Sequence, residues 1–182
     1  AQDHKRVGEN EKGPNTGGMG AYSPSPIINK KLEKKIINRI VKPTLDALKI
    51  KKNAYTGFLY VGLMIKNNEP YLIEYNVRMG DPECQVIMPR LKTDLVKILN
   101  ASLENKLDKI NIKWSKNKCM TTVLCSKGYP NKYTINKIIS LEKIKLNKKS
   151  FIFHAGTKLK KNSLVSNGGR VLNIVVLGTT FS

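Results

Sequence analysis

An α+β fold is predicted by three features of the sequence: a helical-period apolar run from Asn29 to Lys49, a pair of strand-like runs between Tyr55 and Asn76, and several short apolar runs after residue 110. The last group reads as a small, mostly antiparallel sheet. No run reaches the ~20 apolar residues that a membrane-crossing helix requires, and no repeat is visible.

Residues 1–26 read as loop, because Gly13, Pro14, Asn15, Gly17, Gly18, Gly20, Pro24 and Pro26 break regular structure. In the helical run, Leu32, Ile36, Ile37, Ile40, Val41, Leu45 and Leu48 recur on one face, and Pro43 should kink or split the helix. Tyr55–Ile65 reads as a buried strand, with Tyr71–Asn76 as its hairpin partner across the polar link Lys66–Pro70. After Gly80, the run Asp81-Pro82-Glu83 suits a helix start, with Asp as cap and Pro in the first turn. A further helix is expected over Thr93–Leu103, with Leu95, Ile98 and Leu99 on one face. The later strand-like runs are Cys119–Cys125, Ile138–Leu146, Phe151–Phe153 and Arg170–Leu177.

The 182 residues carry 33 Lys+Arg against 13 Asp+Glu, a formal charge of +20. Such a balance invites nucleic acid, yet 28 of the cations are Lys and only 5 are Arg, the residue that reads bases bidentately. Asn and Ile, at 18 each, are in excess together with Lys. Codon-level drift towards these residues on a solvated surface explains all three excesses. The charge is uneven: residues 1–108 hold 18 basic and 12 acidic groups, whereas 109–182 hold 15 and 1, the one acid being Glu142. This shift sets the expected domains at 1–110 and 111–182, and it confines carboxylate chemistry to the first. Cys84, Cys119 and Cys125 lack CxxC spacing, so neither a disulfide framework nor a zinc site is expected, and a cytoplasmic setting fits. The absence of a charged-then-apolar leader points the same way.

The sharpest segment runs from Ile73 to Gln85: Ile-Glu-Tyr-Asn-Val-Arg-Met-Gly-Asp-Pro-Glu-Cys-Gln. On a strand, Glu74, Asn76 and Arg78 share a face. A carboxylate and an amide oxygen two residues apart are hard donors suited to magnesium, and a guanidinium beside them suits a phosphate or carboxylate. A second segment joins Asp3-His4-Lys5-Arg6 to the glycine-rich stretch Gly13–Pro24. Its spaced glycines would let backbone N–H groups approach anionic oxygens, but the spacing matches neither the Rossmann fingerprint nor the P-loop. His4 and His154 sit in no metal or triad pattern. Phe153–Lys158 and Asn167–Arg170 read as strand–turn joints.

Together these segments resemble the glycinamide ribonucleotide synthetases (phosphoribosylamine–glycine ligases), ATP-grasp enzymes of purine biosynthesis. The resemblance rests on Gln2–Gly8, Gly13–Pro24, Tyr55–Tyr60, Ile73–Gln85, Phe153–Thr157 and Asn167–Leu172. Arg78-Met79-Gly80-Asp81-Pro82-Glu83-x-Gln85 is close to the family's signature, with Met79 where Phe is usual. The resemblance implies the second half of an ATP-grasp domain followed by most of a carboxy-terminal β domain, incomplete at its end. It implies a piece of a larger enzyme, inactive alone and monomeric when complete. It further implies ATP as co-substrate, Mg2+ or Mn2+, glycine and 5-phosphoribosylamine as small-molecule substrates, and a reaction through glycyl phosphate. Glu74 and Asn76 become the metal ligands by resemblance. Arg78 is assigned to the glycine carboxylate or the transferred phosphate, and Asp3, Lys5, Asn15, Gly17, Gly18, Gly20 and Asp81 to the substrates. Two other readings compete: an RNA-binding module that keeps the fold, and an ATP-grasp ligase for a different amine.

Overall fold

The structure, a computed structural model, describes residues 1–181. In chain order the strands are β1 (Gln2–Arg6), β2 (Asn15–Ser23), β3 (Tyr60–Lys66), β4 (Glu69–Asn76), β5 (Lys118–Cys125), β6 (Ser150–His154), β7 (Thr157–Lys160), β8 (Ser163–Ser166) and β9 (Arg170–Gly178). The helices are α1 (Lys30–Ile36), α2 (Lys42–Ile50), α3 (Cys84–Ile87) and α4 (Leu95–Leu103). All strand pairings are antiparallel, which gives the expected α+β class.

Two compact units are interleaved along the chain: among the described residues, 1–24, 81–92 and those from 114 onward form the first, and 25–80 and 93–113 the second. These units follow spatial contacts, whereas the expected division near residue 110 follows the shift in charge.

Unit one is built on a five-stranded sheet ordered β1-β2-β5-β9-β6. One face of it carries Ala21, Cys119 and Val175, which pack with Val86 of α3 into a closed cluster flanked by Phe151, Phe153 and Leu177. The glycine-rich segment is therefore an inner strand and not a loop. Glycine is an ordinary strand breaker, but here the neighbours demand it: a Cβ at Gly20 would stand 2.8 Å from the Thr121 carbonyl oxygen. Arg90 ties the segment 81–92 to this sheet, donating to Ser23 Oγ (2.6 Å) and to the carbonyls of Asn117 (2.8 Å) and Ser115 (3.2 Å). Burial lowers its pKa. The run at Ile138–Leu146 is not a strand; it offers one bridge, Ile138 to Val165, and is largely exposed. In its place β7 and β8 form a hairpin closed by Lys161 and Asn162, both at positive φ.

In unit two, Asn29 caps α1 through its side chain, accepting from Leu32 N–H at 2.9 Å. The helical run continues as a π turn, Ile37–Val41, into α2, with Pro43 in the first turn of α2. Proline has no N–H to give to Arg39, so the ladder widens, and Lys42 N–H bonds back to Ile37. This is the expected split. Strand β3 starts at Tyr60, five residues later than expected, because Gly57 turns the chain at φ +143°. The β3–β4 hairpin is closed by Asn67 and Asn68, both left-handed (φ 53° and 58°), the geometry of a two-residue type I′ turn. Asp94 caps α4 by accepting from Lys97 N–H at 2.9 Å. Of the face expected for this helix, Leu95 and Ile98 are half-buried and Leu99 is exposed; the buried residue is Ala101, outside that expectation.

Candidate functional site

Strand alternation carries Glu74 and Asn76 to one side of β4, where Asn76 Nδ2 lies 3.1 Å from Glu74 Oε1. An amide's O and N are near-isosteric and exchange by a flip, which would set two oxygens about 3 Å apart. Adjacent ligands of an octahedral ion at ~2.1 Å are also about 3 Å apart, so the pair fits magnesium. Among the described residues no group of three or more His, Cys, Asp or Glu could hold a metal. A two-donor site would draw its remaining ligands from water and substrate phosphate, as is usual for Mg2+. The strand face expected to carry Arg78 stops at Asn76, the last residue of β4; Arg78 lies in the bend that follows, exposed, with Nη1 donating to the Met79 carbonyl at 2.8 Å. All three residues belong to unit two. An open groove of about 510 Å³ in that unit, floored by Pro43, Ala47, Leu48, Leu72 and Tyr75, contains none of them.

The remaining candidates, Asp3, Lys5, Asn15, Gly17, Gly18, Gly20 and Asp81, belong to unit one. Asp3 and Lys5 form an ion pair on β1, and Asn15 opens β2 opposite Arg6. The glycine N–H groups do not project as a free cradle. Gly17 N–H donates to the Tyr129 hydroxyl (3.2 Å), Gly18 N–H to Thr16 Oγ1 (3.0 Å), and Gly20 lies within the ladder opposite His4 and Thr122.

Asp81 is not the helix cap that the sequence suggests. The first helical residue is Cys84, and Asp81 uses its carboxylate elsewhere. One oxygen accepts from Gln85 Nε2 at 2.9 Å, the other from Arg170 Nη2 at 2.8 Å. Arg170 Nη1 also reaches the carbonyls of Gly17 (3.0 Å), Gly18 (3.4 Å) and Asp81 (3.4 Å). Gly18, at φ +117°, lies so close to Pro82 that a Cβ would stand 2.4 Å from its Cδ. The sequence reading missed Arg170, Tyr129 and Gln85 as parts of this cluster. Its available signal was the run Asn167-Gly168-Gly169-Arg170, which spends one of only 5 arginines. Cys84, inside the signature, is a half-buried helix residue whose thiol pKa is raised by burial and by nearby Asp81.

The solved structures define the class. A phosphoribosylamine–glycine ligase from Thermotoga maritima superposes over 99% of this chain and 44% of its own, with a TM-score of 0.85 and 34% identity. A phosphoribosylglycinamide synthetase from Anaerococcus prevotii, at 14% identity and a TM-score of 0.64, shares the fold. This is an ATP-grasp architecture.

The family model for the phosphoribosylglycinamide synthetase ATP-grasp (A) domain matches residues 1–84, and that for the C domain matches residues 119–182. The chain belongs to the phosphoribosylglycinamide synthetase family. Curated phosphoribosylamine–glycine ligases from Agrobacterium fabrum and Vigna unguiculata are 48% and 46% identical, each over 98% of this chain. The chain spans 42% and 59% of their respective lengths.

Proposed function

We propose that these residues serve an ATP-dependent ligation of glycine to 5-phosphoribosylamine, giving glycinamide ribonucleotide, ADP and phosphate. The observation that carries the reading is the adjacency of the Glu74 and Asn76 side chains on β4, 3.1 Å apart, just before Arg78 and within the Ile73–Gln85 signature. Glu74 and Asn76 would hold the Mg2+ or Mn2+ ion, which when bound neutralises phosphate charge. Phosphoryl transfer is mostly positioning and charge neutralisation. Arg78, with one N–H spent on Met79, keeps guanidinium donors for the glycine carboxylate or the moving phosphoryl group. The glycine carboxylate oxygen attacks the γ-phosphorus, the bond to ADP breaks, and glycyl phosphate results. The amine of phosphoribosylamine then displaces phosphate at the carbonyl carbon. Asp3, Lys5, Asn15, Gly17, Gly18, Gly20 and Asp81 are the further substrate contacts of this reading.

The test is hydroxylamine trapping in the full-length gene product. Glycine hydroxamate should form only with ATP, glycine and divalent metal together. Glu74→Gln should weaken Mn2+ binding, read by paramagnetic resonance, and lower kcat about a hundredfold. ADP release that ignores glycine, or that another amino acid stimulates equally, would assign the chain to a different ligase.

A further inference from the structure

We infer that Arg170 is the positioning residue that sets Asp81 and the glycine strand for substrate, acting as a four-acceptor clasp between segments remote in sequence. This rests on the ligase reading and extends it to a residue that reading does not use. The guanidinium takes one carboxylate oxygen and three carbonyls, from Gly17, Gly18 and Asp81. A planar fork of donors can hold several acceptors in one geometry, which a lysine ammonium cannot reproduce. Its side chain is 22% exposed and that of Asp81 is 50% exposed. The pair is therefore partly screened, and its value lies in geometry more than in net attraction.

Two further contacts show that the clasp is built and not incidental. A Cβ on Gly17 would fall 2.9 Å from the Arg170 guanidinium carbon, the mobile end of that side chain, so a methyl there would push the guanidinium aside. On the other side the Tyr129 hydroxyl accepts Gly17 N–H, and a Cβ on Gly169 would fall 2.2 Å from the Tyr129 ring. Gly17 is thus gripped at its N–H by Tyr129 and at its carbonyl by Arg170. Asp81 is gripped by Gln85 and Arg170. Removing the fork leaves Gly17 held only at its N–H and Asp81 only by Gln85, and the Asp81 carboxylate loses its paired cation.

The test uses Arg170→Lys, Asp81→Asn, their double variant and Gly17→Ala in the full-length gene product. Gly17→Ala displaces the guanidinium without altering any charge. Arg170→Lys and Gly17→Ala should each raise KM for glycine or phosphoribosylamine at least about tenfold, while KM for ATP stays within about twofold. The double variant should lose less than the product of the two single effects, because their shared contact is lost only once. In the 182-residue chain, amide exchange at Gly17 and Gly18 should accelerate in Arg170→Lys. Unchanged exchange would overturn the clasp, whatever the enzyme does. Faster exchange with KM values unmoved, or with KM for ATP rising equally, would reduce Arg170 to a structural residue and overturn the inference. If the wild-type gene product shows no glycine-dependent turnover, the ligase reading fails and the positioning role for its substrates falls with it, while the exchange data still decide the clasp.

Discussion

Replacing Val86 by alanine should destabilise unit one by about 2.5 kcal/mol, through loss of the contact that seats α3 on the sheet. Val86 is 0% exposed and belongs to the cluster of Ala21, Cys119 and Val175. Two methyl groups at about 0.8 kcal/mol each account for about 1.6 kcal/mol. A residual void of roughly 40 Å³ at about 24 cal/mol per Å³ adds about 1 kcal/mol. For a chain of this size that corresponds to a melting shift of about 5–10 °C. Trp114 is the single tryptophan and belongs to unit one, so its fluorescence in a urea titration follows the correct unit. The midpoint should fall with the slope m unchanged, because the surface exposed on unfolding is nearly the same. Leu159→Ala, at a residue of the same unit that is 78% exposed, should stay within about 0.5 kcal/mol of the parent. A Val86→Ala loss as small as that control would refute the reasoning, since it would mean that the cluster does not close over α3.

Burial pushes the Cys119 thiol up to about 11. A folded pKa above the unfolded value of about 8.5 gives stability that is complete below about pH 8.5 and lost as pH rises through the folded pKa. The stability difference between the parent and Cys119→Ala should therefore shrink from about pH 8.5 to 11, by at most about 3 kcal/mol. A constant difference across that range would contradict it. Lys35 and Arg39 hold the Glu69 carboxyl below its ordinary value. Here the sign reverses: the stabilisation is present above the unfolded pKa and disappears as pH falls through the depressed folded one. Glu69→Gln should cost stability near neutral pH and little in strong acid, and high salt should narrow the difference. Equal cost in acid and at neutrality would exclude the ion pairs as its source.

The features legible in the sequence are those fixed by near neighbours. Asn67-Asn68 closes the β3–β4 hairpin because both residues tolerate the left-handed region, and this follows from the two residues themselves. Pro43 splits the helical run for an equally local reason, its missing N–H. Glu74 and Asn76 share a strand face because alternation has period two, so their pairing could be read before any fold was known. The +14 of residues 109–182 lies at the surface. Every lysine there is exposed except Lys118, whose ammonium stands 5.0 Å from the Phe181 ring centroid.

What the sequence hides are the positions whose conformation is dictated from a distance. Gly17, Gly18 and Gly20 read as loop because glycine weakens an isolated strand. The reason for glycine at these positions comes from Arg170, Pro82 and the Thr121 carbonyl, all far along the chain. Asp81 reads as a helix cap because capping is local, yet the helix starts only at Cys84 and the carboxylate is held by Gln85 and, at 2.8 Å, by Arg170. The two errors have one cause. Arg170 displaces the local roles of both Gly17 and Asp81, so the cluster that brings Asp81 to the glycine strand is the part a residue-by-residue reading cannot build.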